Sequence, residues 1–98
     1  MLENLTIADF QPHLNKEFSI RFTPEAIHPA QLTRLTPWGS ENDKFRQPFT
    51  LEFETDLKEI YYLQGMFVLI HPDKGDLELF MVPIGMGGNG MRYEVVFS

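Results

Sequence analysis

Alternation of apolar and polar residues with a period of two recurs along this chain, and Pro or Gly closes most of the alternating stretches. That period puts every second side chain on one face of an extended strand, so the chain can bury its apolar face only as a sheet. Phe18-Ser19-Ile20-Arg21-Phe22 alternates strictly and stops at Thr23-Pro24. Phe49 to Glu54 sets Glu52 and Glu54 on the water side, and Met91 to Phe97 turns Tyr93, Val95 and Phe97 inward against Arg92 and Glu94. Met66 to Ile70 is apolar throughout, which predicts a strand buried on both faces. Asp76 to Pro83 begins with Leu77 and Leu79 opposite Glu78 and then becomes apolar on both faces, an arrangement that places Phe80 in the core together with Phe97. Gln31 to Thr36 completes the set and ends at Pro37.

The links between these segments are short. His71-Pro72-Asp73-Lys74-Gly75 reads as a turn, and Asn89-Gly90 predicts a tight hairpin whose residues tolerate positive φ. Pro83 lacks the N–H that a central ladder needs, so it marks a strand end, an edge or a bulge. Thr6 as N-cap, Asp9 three residues on and Leu5 beside Phe10 predict a short helix that Pro12 kinks or ends near Asn15, plugging one end of the sheet. Trp38 to Gln47 has the composition of a solvated loop and is the best candidate for disorder. The expected fold is mainly β, bordering on α+β. It has about six antiparallel strands in a meander, curled into a small barrel or two-layered sheet, with one short N-terminal helix. Residues 1–98 form a single domain. Parallel βαβ units are excluded, because the gaps cannot hold crossover helices.

Gln64-Gly65, His71-Pro72, Gly75, Leu77-Glu78-Leu79-Phe80, Val82-Pro83-Ile84-Gly85 and Gly90-Met91-Arg92-Tyr93-Glu94 with Phe97 together resemble the signature of a family of small bacterial single-domain proteins known only as a domain of unknown function. Phe10, Leu14 and Phe18 extend the resemblance toward the N-terminus. It implies a setting near tail-collar-like proteins of phage-type assemblies and no assigned catalytic residues.

Composition bounds the function. The chain has no cysteine, which removes disulfides, thiolate zinc sites and thiol nucleophiles, and a reducing cytoplasm is the expected setting. A net charge of −6 with basic residues scattered singly argues against nucleic acid, whose binding needs clustered Lys and Arg. No stretch is long and apolar enough for a membrane-spanning helix.

The chemical motifs are weak. Gly85, Gly87 and Gly90 match G-x-G-x-x-G, but a β-rich segment follows where a dinucleotide site needs a helix N-terminus. His13, His28 and His71 lack the spacing of a preformed metal pair, and His71, with Asp73, Asp76 and Glu78 nearby, reads as a hydrogen-bonded turn residue before it reads as an acid or base. Glu52 and Glu54 lie on one strand face rather than across a cleft, and Ser19 and Thr50 lack any nucleophile context. No cofactor, metal site or enzymatic activity is expected. The expected function is contact with a protein partner or self-association, as an accessory or assembly component. The expected surface comprises Trp38, Tyr61, Tyr62, Met86 and Met91, because aromatic and Met side chains are enriched at interfaces. The alternative is a small barrel that takes an apolar ligand into its mouth.

Overall fold

The computed structural model describes residues 4–39 and 46–98. Six antiparallel strands close into a barrel: β1 Glu17–Thr23, β2 Ala26–Pro37, β3 Phe49–Thr55, β4 Gly65–His71, β5 Gly75–Met86 and β6 Met91–Phe97. The alternation that announces β1, β3 and β6 is realised residue by residue. Phe18, Ile20 and Phe22 point inward on β1, Phe49, Leu51 and Phe53 on β3, and Met91, Tyr93, Val95 and Phe97 on β6. Leu32, Leu69, Leu79 and Met81 complete the packed lumen, which is filled by its own side chains, as small barrels usually are.

The strands do not meander around the whole circuit. Their order is β1-β2-β3-β6-β5-β4, so two three-stranded meanders are joined where β3 meets β6 and where β1 meets β4. The link from β3 to β4, residues 56–64, crosses one end of the barrel. It is held there by Tyr93, whose hydroxyl accepts from the Tyr62 N–H at 2.9 Å and donates to the Tyr62 carbonyl at 2.7 Å. Aromatic rings fill both ends. At one end Phe22 stacks on Tyr62 at 4.7 Å, with Phe67 and Tyr93 around them. At the other, Phe49 and Phe97 stack at 4.5 Å and Phe10 packs on both.

The expected N-terminal helix is a pair of 3-10 turns, Ile7–Asp9 and Gln11–His13. Pro12 sits at the start of the second turn, where its missing N–H costs nothing, so the chain bends at Phe10 and seats that ring in the core. Residues 40–45 of the predicted loop lie outside the described residues. Pro83 is accommodated by a bulge, where the β5–β6 register shifts between Pro83 and Gly85, and Gly85 adopts φ +126°. The loop after β5 is not the expected positive-φ hairpin. Gly90 is there because a Cβ would lie 2.4 Å from the Thr55 carbonyl oxygen.

Two expectations about the core need correction. Met66 to Ile70 is not buried on both faces: Leu69 and His71 are inside, while Met66 is 57% exposed. Phe80 is 50% exposed on the outer wall, because Leu79 and Met81 take the inward positions of β5 and alternation leaves Phe80 outside. The two phenylalanines should therefore respond differently to truncation. Phe97→Ala should cost about 3–5 kcal/mol and Phe80→Ala less than about 1.5 kcal/mol, read as shifts in urea midpoint. Equal losses would contradict this assignment of the faces.

Candidate interaction surface

Of the acids that the sequence sets beside His71, only Asp73 joins it under the N-terminal turns, with His13 added, while Asp76 pairs with Arg21 and Glu78 is exposed on β5. His71 is 2% exposed, and its ring packs edge-on against Phe10, Phe18 and His13. Its Nδ1 accepts from the Asp73 and Lys74 N–H groups at 3.0 and 3.2 Å, and its Nε2 donates to the Asp9 carbonyl at 2.7 Å. Those partners fix the neutral tautomer that carries its proton on Nε2. The ligand atoms of His13, His71 and Asp73 lie within 4.8 Å of one another, a spacing compatible with a metal ion. To ligate one, however, His71 would have to surrender a nitrogen already bonded to backbone, and His13 and Asp73 are engaged with each other at 3.1 Å. The cluster is better described as the latch between the 3-10 turns and the β4–β5 turn.

Asp9 strengthens that latch. Its carboxylate accepts from the Thr6 N–H at 2.8 Å and lies 3.4 Å from Lys74 Nζ. The Thr6 hydrogen bond, aided by Lys74 and opposed by partial burial, holds the Asp9 carboxyl below its ordinary range.

The five residues expected to form a contact surface are dispersed. Trp38 follows the Pro37–Phe49 pair at the Phe97 end of the barrel, and its Nε1 donates to Thr50 Oγ1 at 3.1 Å. Met86 and Met91 pair six residues away along β6, roughly 20 Å distant by strand rise. Met91 is buried, so it cannot anchor a partner. Tyr62 is half-buried against Phe22, whereas Tyr61 and Met86 are exposed.

The surface that does concentrate apolar area lies on the wall formed by β4, β5 and β6. Met66 pairs with Phe80 across β4 and β5, and Val96 lies beyond them on β6; all three are at least half exposed. Ile60, Tyr61 and Leu63, also exposed, lead into this wall from the β3–β4 link. Phe80 and Met66 are the members of this set that the sequence pattern places in the core. The available signal was that Met66–Ile70 and Phe80–Val82 are apolar on both faces, although one face suffices for a small barrel.

The same wall is split. The β5–β6 ladder runs from Met86–Met91 to Val82–Glu94 and stops there. Continued, it would pair Met81 with Val95, Phe80 with Val96 and Leu79 with Phe97. Beyond that point lies a cleft of about 480 Å³, lined by Met66, Leu79, Phe80, Val82, Glu94 and Val95–Ser98 and by Arg46. Leu79, Val95 and Phe97 border the cleft from the core side, yet each is no more than 3% exposed, so the cleft lies on the outer side of the wall. Arg46 lies at its Phe97 end, 5.2 Å from that ring, and donates to the Ser98 and Leu5 carbonyls. A second cleft, of about 450 Å³, opens between β1 and β4 past the Arg21–Val68 pair, and Met66 lines it too.

A family model described as a domain of unknown function (DUF6916) matches residues 5–97. The search of curated proteins and the search of solved structures each return no match.

The latch yields a pH dependence with a definite sign. A carboxyl whose folded value is lowered contributes stability above its unfolded range, near ~3.9, and that contribution is lost as pH falls through the folded value. Asp9→Asn should cost about 0.5–2 kcal/mol at neutral pH, and the acid limb of stability should be shallower than in the parent. Urea midpoints taken from neutral pH down to strong acid check this; parallel acid limbs would show that the Asp9 charge is not linked to folding.

Proposed function

Because the chain belongs to the family designated domain of unknown function DUF6916, kinship brings no activity with it, and we propose from the surface itself that this is a non-enzymatic β-domain acting through protein contacts, an accessory within a larger assembly. The observation that carries the reading is the row Met66, Phe80 and Val96, each at least half exposed on one wall. Completing the burial of one such side chain is worth on the order of 1 kcal/mol, more than a typical surface ion pair. Three in a row, with Ile60, Tyr61 and Leu63 leading into them, give an anchor that no charged part of this surface matches.

The latch around His71 supports the non-enzymatic part of the reading. A general acid or base has to exchange protons with a substrate, and both nitrogens of His71 are held by backbone groups below the surface. The alternative of an apolar ligand in the barrel mouth has less support, since Phe18, Ile20, Leu32, Phe53 and Tyr93 occupy the lumen and aromatic rings close both ends. A soluble accessory role also fits the acidic composition.

The test pairs stability with association. Met66→Ser and Phe80→Ser together should leave the fold intact, with a change in unfolding free energy within about 2 kcal/mol. The same change should abolish recovery of the native partner from the protein's own cells, with mass followed by light scattering. A partner recovered equally with and without the two substitutions would overturn the reading, as would a strict monomer that brings down nothing.

A further inference from the structure

The split between β5 and β6 indicates what kind of partner the wall accepts. Past Val82–Glu94 the register between these strands ends, although β6 remains paired with β3 through Phe97 and β5 remains paired with β4 through Gly75. Each of the two strands therefore has one satisfied edge and one edge, facing the cleft, that lacks a strand partner among the described residues. Main-chain N–H and C=O groups on such edges are matched by another extended backbone; a helix keeps its own groups paired internally and cannot supply them. The strands bordering the cleft are apolar on both faces, with Leu79, Val95 and Phe97 buried in the core and Met66, Phe80 and Val96 exposed on the outer wall.

Charge narrows the choice further. Glu94 at the closed end of the split and Glu78 on the outer face of β5 make no ion pair among the described residues. The cation in the cleft, Arg46, is bonded to the Ser98 and Leu5 carbonyls at the opposite end from Glu94. A second copy of this chain would bring its own Glu78 and Glu94 to the same face and would double a net charge of −6.

Building on the contact reading above, we propose that the β5–β6 split receives an extended segment of a different protein by strand addition. That segment is apolar on both faces at its centre, carries Lys or Arg where it meets Glu94 and Glu78, and hydrogen-bonds the open edge of Val95–Phe97. The backbone ladder supplies affinity, and the apolar pockets on alternate sides set which side chains are accepted.

A library of random linear peptides, selected against the intact chain with Phe80→Asp as counter-target, tests this. Circular dichroism and thermal melting confirm that the counter-target is folded, and Val96→Thr serves as a second, milder probe of the same wall. The expected result is enrichment of peptides with a central apolar run and terminal Lys or Arg. When a selected peptide binds, amide hydrogen exchange across Val95–Phe97 should slow. Glu94→Gln and Glu78→Gln should each weaken that peptide's affinity roughly two- to fivefold at low salt and less at high salt.

If enriched peptides depend on Phe80 but leave exchange at Val95–Phe97 unchanged, strand addition is wrong while the wall remains a contact surface. Enrichment indifferent to both Phe80→Asp and Val96→Thr would remove both readings. A failure to enrich any peptide would overturn strand addition alone. A concentration-dependent dimer abolished by Phe80→Asp would instead make the occupant a second copy and overturn the proposal.

Discussion

Tyr93 is the interaction on which the rest of this barrel depends. Its ring is fully buried between Phe22 and Phe67, and its hydroxyl bonds both the N–H and the carbonyl of Tyr62. One side chain thus packs the lumen and pins the segment that carries the chain from β3 across the barrel end to β4. Burial pushes the Tyr93 hydroxyl above its ordinary range, consistent with a phenol that stays neutral and donates. Without that anchor the two meanders would share only the β3–β6 ladder and the short β1–β4 ladder, whose register spans Ser19–Ile70 to Arg21–Val68.

That economy of joining explains where the wall opens. The β4–β5 hairpin is fully paired within itself, from Gly65–Met81 to His71–Gly75. Toward β1 it is held by the short ladder, and toward β6 only by the end of β5 beyond Met81, with the Pro83–Gly85 bulge inside that stretch. A cleft therefore lies on each side of the hairpin, and Met66 borders both. β5 pairs with β4 as far as Met81 and with β6 from Val82 onward, and the Pro83–Gly85 bulge bends the part that pairs with β6. The apolar row of Met66, Phe80 and Val96 borders the cleft between β5 and β6.

Much of this was readable in the sequence, for a physical reason. Where one face is polar, as in Phe18–Phe22, Phe49–Glu54 and Met91–Phe97, alternation leaves only one register, and those strands fall where the pattern puts them. Where both faces are apolar, the pattern no longer says which residue is inside, and Phe80 and Met66 were assigned to a core that had no room for them. Strand order was not legible either, because the pairing of β3 with β6 joins segments far apart in sequence and leaves no local mark. Gly90 was legible as a position that needs glycine, although the cause is close approach of the Thr55 backbone and not a positive φ. His71 is a hydrogen-bonded residue at the β4–β5 turn, its ring saturated by the Asp73 and Lys74 N–H groups and the Asp9 carbonyl, whereas Asp76 turns to Arg21.

The β5–β6 ladder ends at Val82–Glu94, which leaves backbone on both strands without a strand partner among the described residues. Native-state amide exchange of the unliganded protein, resolved by residue, measures this directly. The structure predicts strong protection for the β6 amides that pair with β3, and much weaker protection for those of Val95–Phe97 and Leu79–Met81 that face the cleft, separated by orders of magnitude in exchange rate. Uniform protection along β5 and β6, as though the ladder continued from Val82–Glu94 to Leu79–Phe97, would contradict it.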